Sequence, residues 1–359
     1  MKKTIALLFP LCFFLTAMTA QTSVSDYRPG VTTEGAVYFL PRTALHISIL
    51  VERTAYTPGD FAAYAQRYLR LQNVSLEPTI NHRVVAIKQT PIGQADPQKA
   101  FAVKFNAKTV AANVALTDDG RLLSINAEPK AEATPAPFTP AQKPAPLNPR
   151  QFMNEEILAA GSTAKMAELT SREIYDIREN KSLLIKGQAD FMPKDGQQLK
   201  LMLTQLDTQE QALRSLFEGI TICDTTEIIL TYVPEKASSH EVLFRLSREL
   251  GLVDADDLSG DPFYINIESL NVLPPTDEAA MAKTKKKVEE KGIYVIVPGR
   301  LRSTIVQGIE QITQTEFPAA QFGNVELLSA ELFDKHYTTQ LWFNPVTGAL
   351  DRLQADMKK

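Results

Sequence analysis

Apolar and polar positions alternate with a period of two over the first and last parts of the chain and change to a period near 3.6 in the middle. Val37-Tyr38-Phe39-Leu40 and Leu45-His46-Ile47-Ser48-Ile49-Leu50-Val51 read as strands rich in β-branched and aromatic residues. Pro58-Gly59 then turns the chain into a short helix over 61–71. Further strands are predicted at 83–88, 100–105 and 113–116. Residues 114–125 form a hairpin whose Asp119-Gly120 supplies the positive φ that a tight turn needs.

In the middle, Ala167, Ile174, Ile177 and Leu184 recur at spacings that place them on one helical stripe. A second helix starts at Asp195, with Gln198 at capping-box spacing. It runs through Leu199, Met202, Leu206, Leu213 and Leu216 and stops at Gly219. The connection from Lys186 to Lys194 contains Pro193 and is short, so the two helices form an antiparallel hairpin. Its apolar stripe either lies on a sheet of the same chain or is left for a partner. Strands resume over 220–233, 242–246, 263–267, 293–297, 325–329 and 340–343, and residues 341–350 make a closing hairpin. The stretch 242–250 fits helix and strand almost equally. The two hairpins, and the pairs Asp96-Pro97 and Asp261-Pro262 ahead of strands, echo one another at the level that ordinary hairpins also reach.

Composition divides this pattern. Seven prolines among alanines fill 127–150 and give little to bury, as expected of an extended spacer. A second break, 274–291, opens on Pro274-Pro275 and ends in a lysine- and glutamate-rich run. The reading is an α+β protein with sandwich-like β-rich modules: an N-terminal β-rich part over 21–126, the Pro/Ala linker over 127–150, the helical hairpin over 151–219, and a C-terminal β-rich part over 220–359 carrying the charged loop.

The first twenty residues combine Lys2 and Lys3, an apolar run from Ile5 to Leu15 and a small-residue finish at Ala20, the pattern of a cleavable signal peptide. The run is too short to span a bilayer, and Phe9-Pro10-Leu11 ahead of Cys12 does not suit lipid attachment. Gln21 is the expected mature N-terminus. Of the 38 basic residues, cleavage removes Lys2 and Lys3 and leaves 36 against 42 acidic, a formal charge of −6. That balance disfavours nucleic acid and anionic membranes as partners. Cleavage also removes Cys12 and leaves Cys223 as the one thiol, so stability must rest on packed cores.

One motif invites a chemical reading. Ser162-Thr163-Ala164-Lys165 opens the first long helix after Gly161, and a Ser-x-x-Lys at a helix start is the acylated nucleophile of penicillin-binding proteins and class A β-lactamases. Lys165 can serve as the base, but the reaction also needs an oxyanion hole and a substrate-binding strand. Those enzymes carry a Ser-x-Asn and then a Lys-Thr-Gly downstream. Here Ser269-Leu270-Asn271 ends a predicted strand, and Thr347-Gly348 is preceded by Val346. The helix after Lys165 is also polar on most faces. Capping accounts for the serine, and a serine acyl-enzyme hydrolase using Ser162 and Lys165 stands as the alternative reading.

The four histidines, at 46, 82, 240 and 336, have no second histidine or cysteine at ligand spacing, and His240-Glu241 lacks the rest of a zinc helix. Asp254-Ala255-Asp256-Asp257-Leu258-Ser259-Gly260-Asp261 clusters carboxylates around a glycine but misses the EF-hand register, so a polar turn is expected. Tyr56, Tyr64 and Tyr68, beside a single tryptophan, Trp342, are what a glycan-binding module would have to use. No catalytic, cofactor-binding or metal-binding residue is assigned.

Several phrases together, VYFLPRTAL at 37–45, YAQRYL at 64–69, GSTAKMAELTSREIYD at 161–176, MPKDG at 192–196 and LVDADDL at 252–258, resemble an exported bacterial family catalogued only as a domain of unknown function. That resemblance implies a protein of gut-dwelling Gram-negative anaerobes, periplasmic or on the cell surface, and brings no activity, cofactor or catalytic residue. The sequence therefore favours a non-enzymatic binding or scaffold protein of the cell envelope, with an envelope protein as partner of the helical hairpin.

Overall fold

A computed structural model describes residues 23–26, 36–104, 113–139, 145–270, 292–333 and 337–357. The signal-peptide region, the charged loop at 274–291, Asn271 and His336 lie outside them. The chain is β-rich with an α-helical middle, and every strand ladder is antiparallel.

Three sheets form. Sheet A has the order β1 (Ser23–Asp26), β3 (Thr79–Lys104), β2 (Ala36–Thr57), β6 (Ile220–Tyr232). Sheet B has the order β13 (Leu350–Met357), β12 (Tyr337–Phe343), β5 (Leu122–Ile125), β4 (Val114–Leu116). Sheet C has the order β11 (Glu310–Ser329), β10 (Gly292–Gln307), β9 (Asp261–Ser269), β7 (Ser238–Ser247), β8 (Gly251–Val253). Strand pairing crosses the sequence boundaries at 126 and 220: β2 pairs with β6 along its second half, and β5 pairs with β12. The two short hairpins that echo one another in sequence thus lie side by side in sheet B.

Long strands replace several of the short ones expected. The strands read at 37–40 and 45–51 are one strand, β2, and those read at 83–88 and 100–105 are one strand, β3. The gap between the two readings marks a kink. Phe39 faces Ala100 and Pro41 faces Ala95, so Asp96, Pro97, Gln98 and Lys99 stand opposite Leu40 alone. A bulge of this kind changes which side chains point inward. Before it, Tyr38 and Leu40 enter a first core with Ile125, Ile293, Phe333 and Leu341. After it, Leu45, Ile47, Ile49 and Val51 enter a second core with Phe244, Phe263, Ile265 and Leu301. Sheets A and C share this second core; residues of all three sheets meet in the first.

The hairpin β10–β11 is bent at the same place between the cores. Val297 faces Asn324 and Gly299 faces Ala319, which leaves Ala320 to Gly323 opposite Pro298. Most of this hairpin, between the strands expected at 293–297 and 325–329, carries polar side chains such as Arg302, Thr313 and Gln314, so its apolar alternation is diluted. The stretch at 242–250 resolves as strand β7. Pro91 sits in β3 without cost to the ladder, because along that stretch β3 has a strand neighbour on one side only.

Candidate functional site

The helical part builds a third core of its own. Helix α1 (Ala65–Leu69) follows the Pro58-Gly59 turn through a single 3-10 turn, and α2 (Glu155–Leu158) follows the Pro/Ala segment. Helices α3 (Thr163–Lys186) and α4 (Gly196–Glu218) are the two arms of the expected hairpin. Asp195 caps α4, its side chain accepting from the Gln198 N–H, and Gly219, at φ 81°, ends it. Gly187, at φ 69°, closes α3 with its N–H on the carbonyl of Leu184.

The stripe is covered by short helices of the same chain. Ala167, Leu169, Ile174 and Ile177 of α3 and Leu213, Leu216 and Phe217 of α4 pack with Phe61, Ala65 and Leu69 from around α1 and with Met153 and Ile157 from around α2. The rings of Phe61 and Phe217 lie 5.4 Å apart. Burying side chains of this size contributes about 2 kcal/mol each, enough to hold the base of the hairpin to the body.

Between the arms a charged cluster continues where the apolar core stops. Arg178 Nε donates to Glu210 Oε1 at 2.7 Å, Lys181 Nζ to Glu210 Oε2 at 2.8 Å, and Lys181 also pairs with Asp207. Burial alone would raise the Glu210 carboxyl, but the Lys181 and Arg178 bonds outweigh it and hold that carboxyl below the ordinary glutamate range. The bond from Asp207, then that from Glu210, holds the Lys181 ammonium above the usual lysine value.

Beyond this cluster the far half of the hairpin is differently dressed. Ile185 is 69% exposed, Phe191 66% and Leu201 70%, with Met192 beside Phe191 also exposed. Four large apolar side chains are thus exposed in and next to the connection between α3 and α4, while Leu184 of the stripe itself stays buried.

Ser162 is an N-cap. Its Oγ accepts from the Lys165 N–H at 3.3 Å, while the Lys165 ammonium turns to Glu168 at 3.2 Å. Both residues are exposed, so the hydroxyl lacks the buried, water-excluded setting in which a lysine is desolvated into a base. The carboxylate cluster at 254–261 is a turn clasped by Arg245, whose guanidinium donates to the carbonyls of Ala255 at 2.8 Å and Gly260 at 3.1 Å. A cation already occupies the place where the loop's carbonyls converge. Ser259 bonds to the Asp257 carboxylate from its backbone and side chain and holds that carboxyl below its usual range. Tyr56 ties two backbones together, its hydroxyl 2.9 Å from the Ser75 carbonyl and 3.1 Å from that of Glu218. Tyr64 and Tyr68 pack on one another beside the third core, and Tyr175 donates to the Tyr68 carbonyl. These three tyrosines are therefore engaged within the chain. Among the described residues, no three His, Cys, Asp or Glu side chains converge as metal ligands, and no helix is long and apolar enough to cross a membrane.

A family model described as "Domain of unknown function (DUF4831)" matches residues 34–351. The chain belongs to that family. The match begins just before β2 and ends at the start of β13, so it takes in the hairpin and strands of all three sheets but leaves β1 outside. No curated protein and no solved structure matches the chain.

Proposed function

We propose that this DUF4831 protein is an exported, non-enzymatic binding or scaffold protein of the Gram-negative envelope, with sandwich-like β-rich modules that carry the helical hairpin to a protein partner. The observation that supports this reading is the split character of the hairpin: its base is packed on its own chain, and its far end holds Ile185, Phe191 and Leu201 in solvent. Large apolar side chains exposed within a short span of chain are candidates for an interaction site. The signal-like first twenty residues support an envelope location.

A photo-crosslinking amino acid placed at position 191 in living cells tests the reading. One discrete crosslinked protein, lost when Ile185 and Leu201 are both changed to serine, is the expected result. The reading is overturned by a correctly folded, exported protein that gives no crosslink from position 191. Sequencing of the mature N-terminus at Gln21 checks export separately.

A further inference from the structure

The segment after β5 crosses the outer face of sheet B as a strap. Pro129, Pro135 and Pro137 fix φ locally and bias the residues before them toward extended backbone, and residues 128–139 adopt no helix or strand. Four polar ties hold it, one of them the Phe138 N–H donating to Glu227 Oε2 at 3.1 Å. The Trp342 indole donates to the Glu128 carbonyl at 3.0 Å, Arg121 grips both oxygens of Glu132, and Lys88 donates to the Ala136 carbonyl at 3.2 Å. Between strap and sheet lies a cleft of about 680 Å³, within the range of ligand sites.

Its chemistry is lopsided. Lys88, Lys130 and Arg352 line it, and none of the three has a carboxylate within ion-pair distance. Of the two acids present, Glu132 is committed to Arg121, which leaves Asp351 alone against three cations. Arg352 stacks over the Trp342 ring, 4.9 Å from its centroid. The chain as a whole carries a formal charge of −4, so an uncompensated basic cleft runs against the overall balance. Along the strap wall, the N–H groups of Ala131, Glu132, Ala133 and Thr134 donate to no group among the described residues. In extended backbone alternate N–H groups point the same way, so two of these four can pair with another extended backbone. A saccharide has no matching repeat.

We infer that this cleft binds an extended acidic peptide segment of another protein, its main chain along the strap, its carboxylates toward Lys88, Lys130 and Arg352, and an apolar side chain against Trp342. Capture from random decapeptide pools of matched hydrophobicity but acidic, neutral or basic charge tests this on the immobilised full chain. The acidic pool is expected to be retained at least about tenfold over the other two, and retention should fall about tenfold in Lys88→Glu and in Arg352→Glu. Because Trp342 is the single tryptophan, a peptide recovered from the pool should also shift the protein's intrinsic fluorescence saturably. Equal retention of all pools overturns the proposal, as does acidic retention that both charge reversals leave unchanged in folded protein. A uronic-acid polymer that competes the acidic pool away and alone shifts Trp342 fluorescence would replace the peptide by an anionic glycan.

Discussion

Gln321 supplies to Thr43 the strand partner that Pro234 cannot. The register of β2 on β6 runs down to Leu45 facing Tyr232, so Thr43 would next face Pro234, which has no N–H to give. The Gln321 carboxamide fills the place: Oε1 accepts the Thr43 N–H at 2.9 Å, and Nε2 donates to the carbonyls of Thr43 at 2.8 Å and Pro234 at 2.9 Å. Gln321 can reach because it lies in the bulge opposite Pro298. The neighbouring Ala320 N–H meanwhile bonds to the Thr43 hydroxyl at 2.9 Å. One side chain of sheet C thereby completes the ladder of sheet A where both sheets bend. Gln321→Ala should cost about 2 kcal/mol, since it orphans one amide and two carbonyls in a half-buried place. Gln321→Glu should cost more at neutral pH, because it sets a carboxylate against two carbonyl oxygens. Urea unfolding with an unchanged slope and a lowered midpoint is the expected signature.

Gly59 brings the end of α4 against the turn before α1. The Phe61 N–H donates to the Leu216 carbonyl at 2.7 Å, and a Cβ at position 59 would overlap that same carbonyl. The overlap is with backbone, so it cannot be relieved by a rotamer change. Gly59→Ala should destabilise by about 2 kcal/mol and should speed amide exchange through α4, which a purely local defect in the turn would not do.

How far these features were legible follows from the range of the interactions that make them. The caps at Ser162, Asp195 and Gly219 and the turn at Gly120 are local: donor and acceptor lie within a few residues, and the helix and hairpin bounds emerge from sequence nearly as built. The Pro/Ala segment read as a spacer because prolines and alanines bury little, yet Arg121, Lys88 and Trp342 bind its carbonyls and its Glu132 across the fold. No composition rule reports such ties. The stripe of α3 was visible as a stripe, but its cover of Phe61, Leu69 and Ile157 comes from two helices too short to show a period. The kinks at Pro41 and Pro298 hid long strands for the converse reason. A strand that changes cores breaks its own alternation at the point where it is structurally most determined.

Glu210 should give the hairpin an acid-sensitive joint. Its carboxyl is held below the glutamate value of 4.5 in the folded protein. A depressed folded value means that the contribution is present above the unfolded value and lost as pH falls through the folded one. Glu210→Gln should therefore lower stability by about 1 kcal/mol at pH 7, a modest figure because Arg178 is more than a third exposed. The gap between mutant and parent should close as pH drops below 4.5. Denaturation midpoints at several pH values give the comparison; a constant gap down to pH 3 would remove Glu210 from the acid limb.

Ser162 provides a control on chemistry. As an N-cap it should lose about 1 kcal/mol in Ser162→Ala and almost nothing in Ser162→Asp, since aspartate accepts the same Lys165 N–H and also suits the helix N-terminus. An acyl-enzyme nucleophile would behave oppositely, with aspartate as inactive as alanine. The native protein is expected to take no label from a fluorescent penicillin, and labelling that vanishes in both variants would restore the hydrolase reading.

Arg121 ties three separate segments at once, which makes it hard to replace. It is 6% exposed. Its Nε donates to both oxygens of Asp119 in the β4–β5 turn, at 2.8 and 2.9 Å. One terminal nitrogen donates to Glu132 of the strap and, at 2.6 Å, to the Pro345 carbonyl before β13, and the other completes the grip on Glu132 at 2.9 Å. The geometry needs a planar fork with donors on all sides, which lysine lacks. Arg121→Lys retains the charge but can serve only part of this set, leaving acceptors around a buried cation unpaired. It should cost about 1–2 kcal/mol, because the guanidinium is buried but Asp119 is 41% and Glu132 32% exposed. The strap should also loosen, since Glu132 is its central anchor, and limited proteolysis within residues 128–139 should quicken several-fold under native conditions. Glu132→Gln should release the strap with a smaller loss of global stability, because the Asp119 and Pro345 bonds survive. If Arg121→Lys and Glu132→Gln both leave the strap cut no faster than in the parent, the grip on Glu132 is not what holds the strap down.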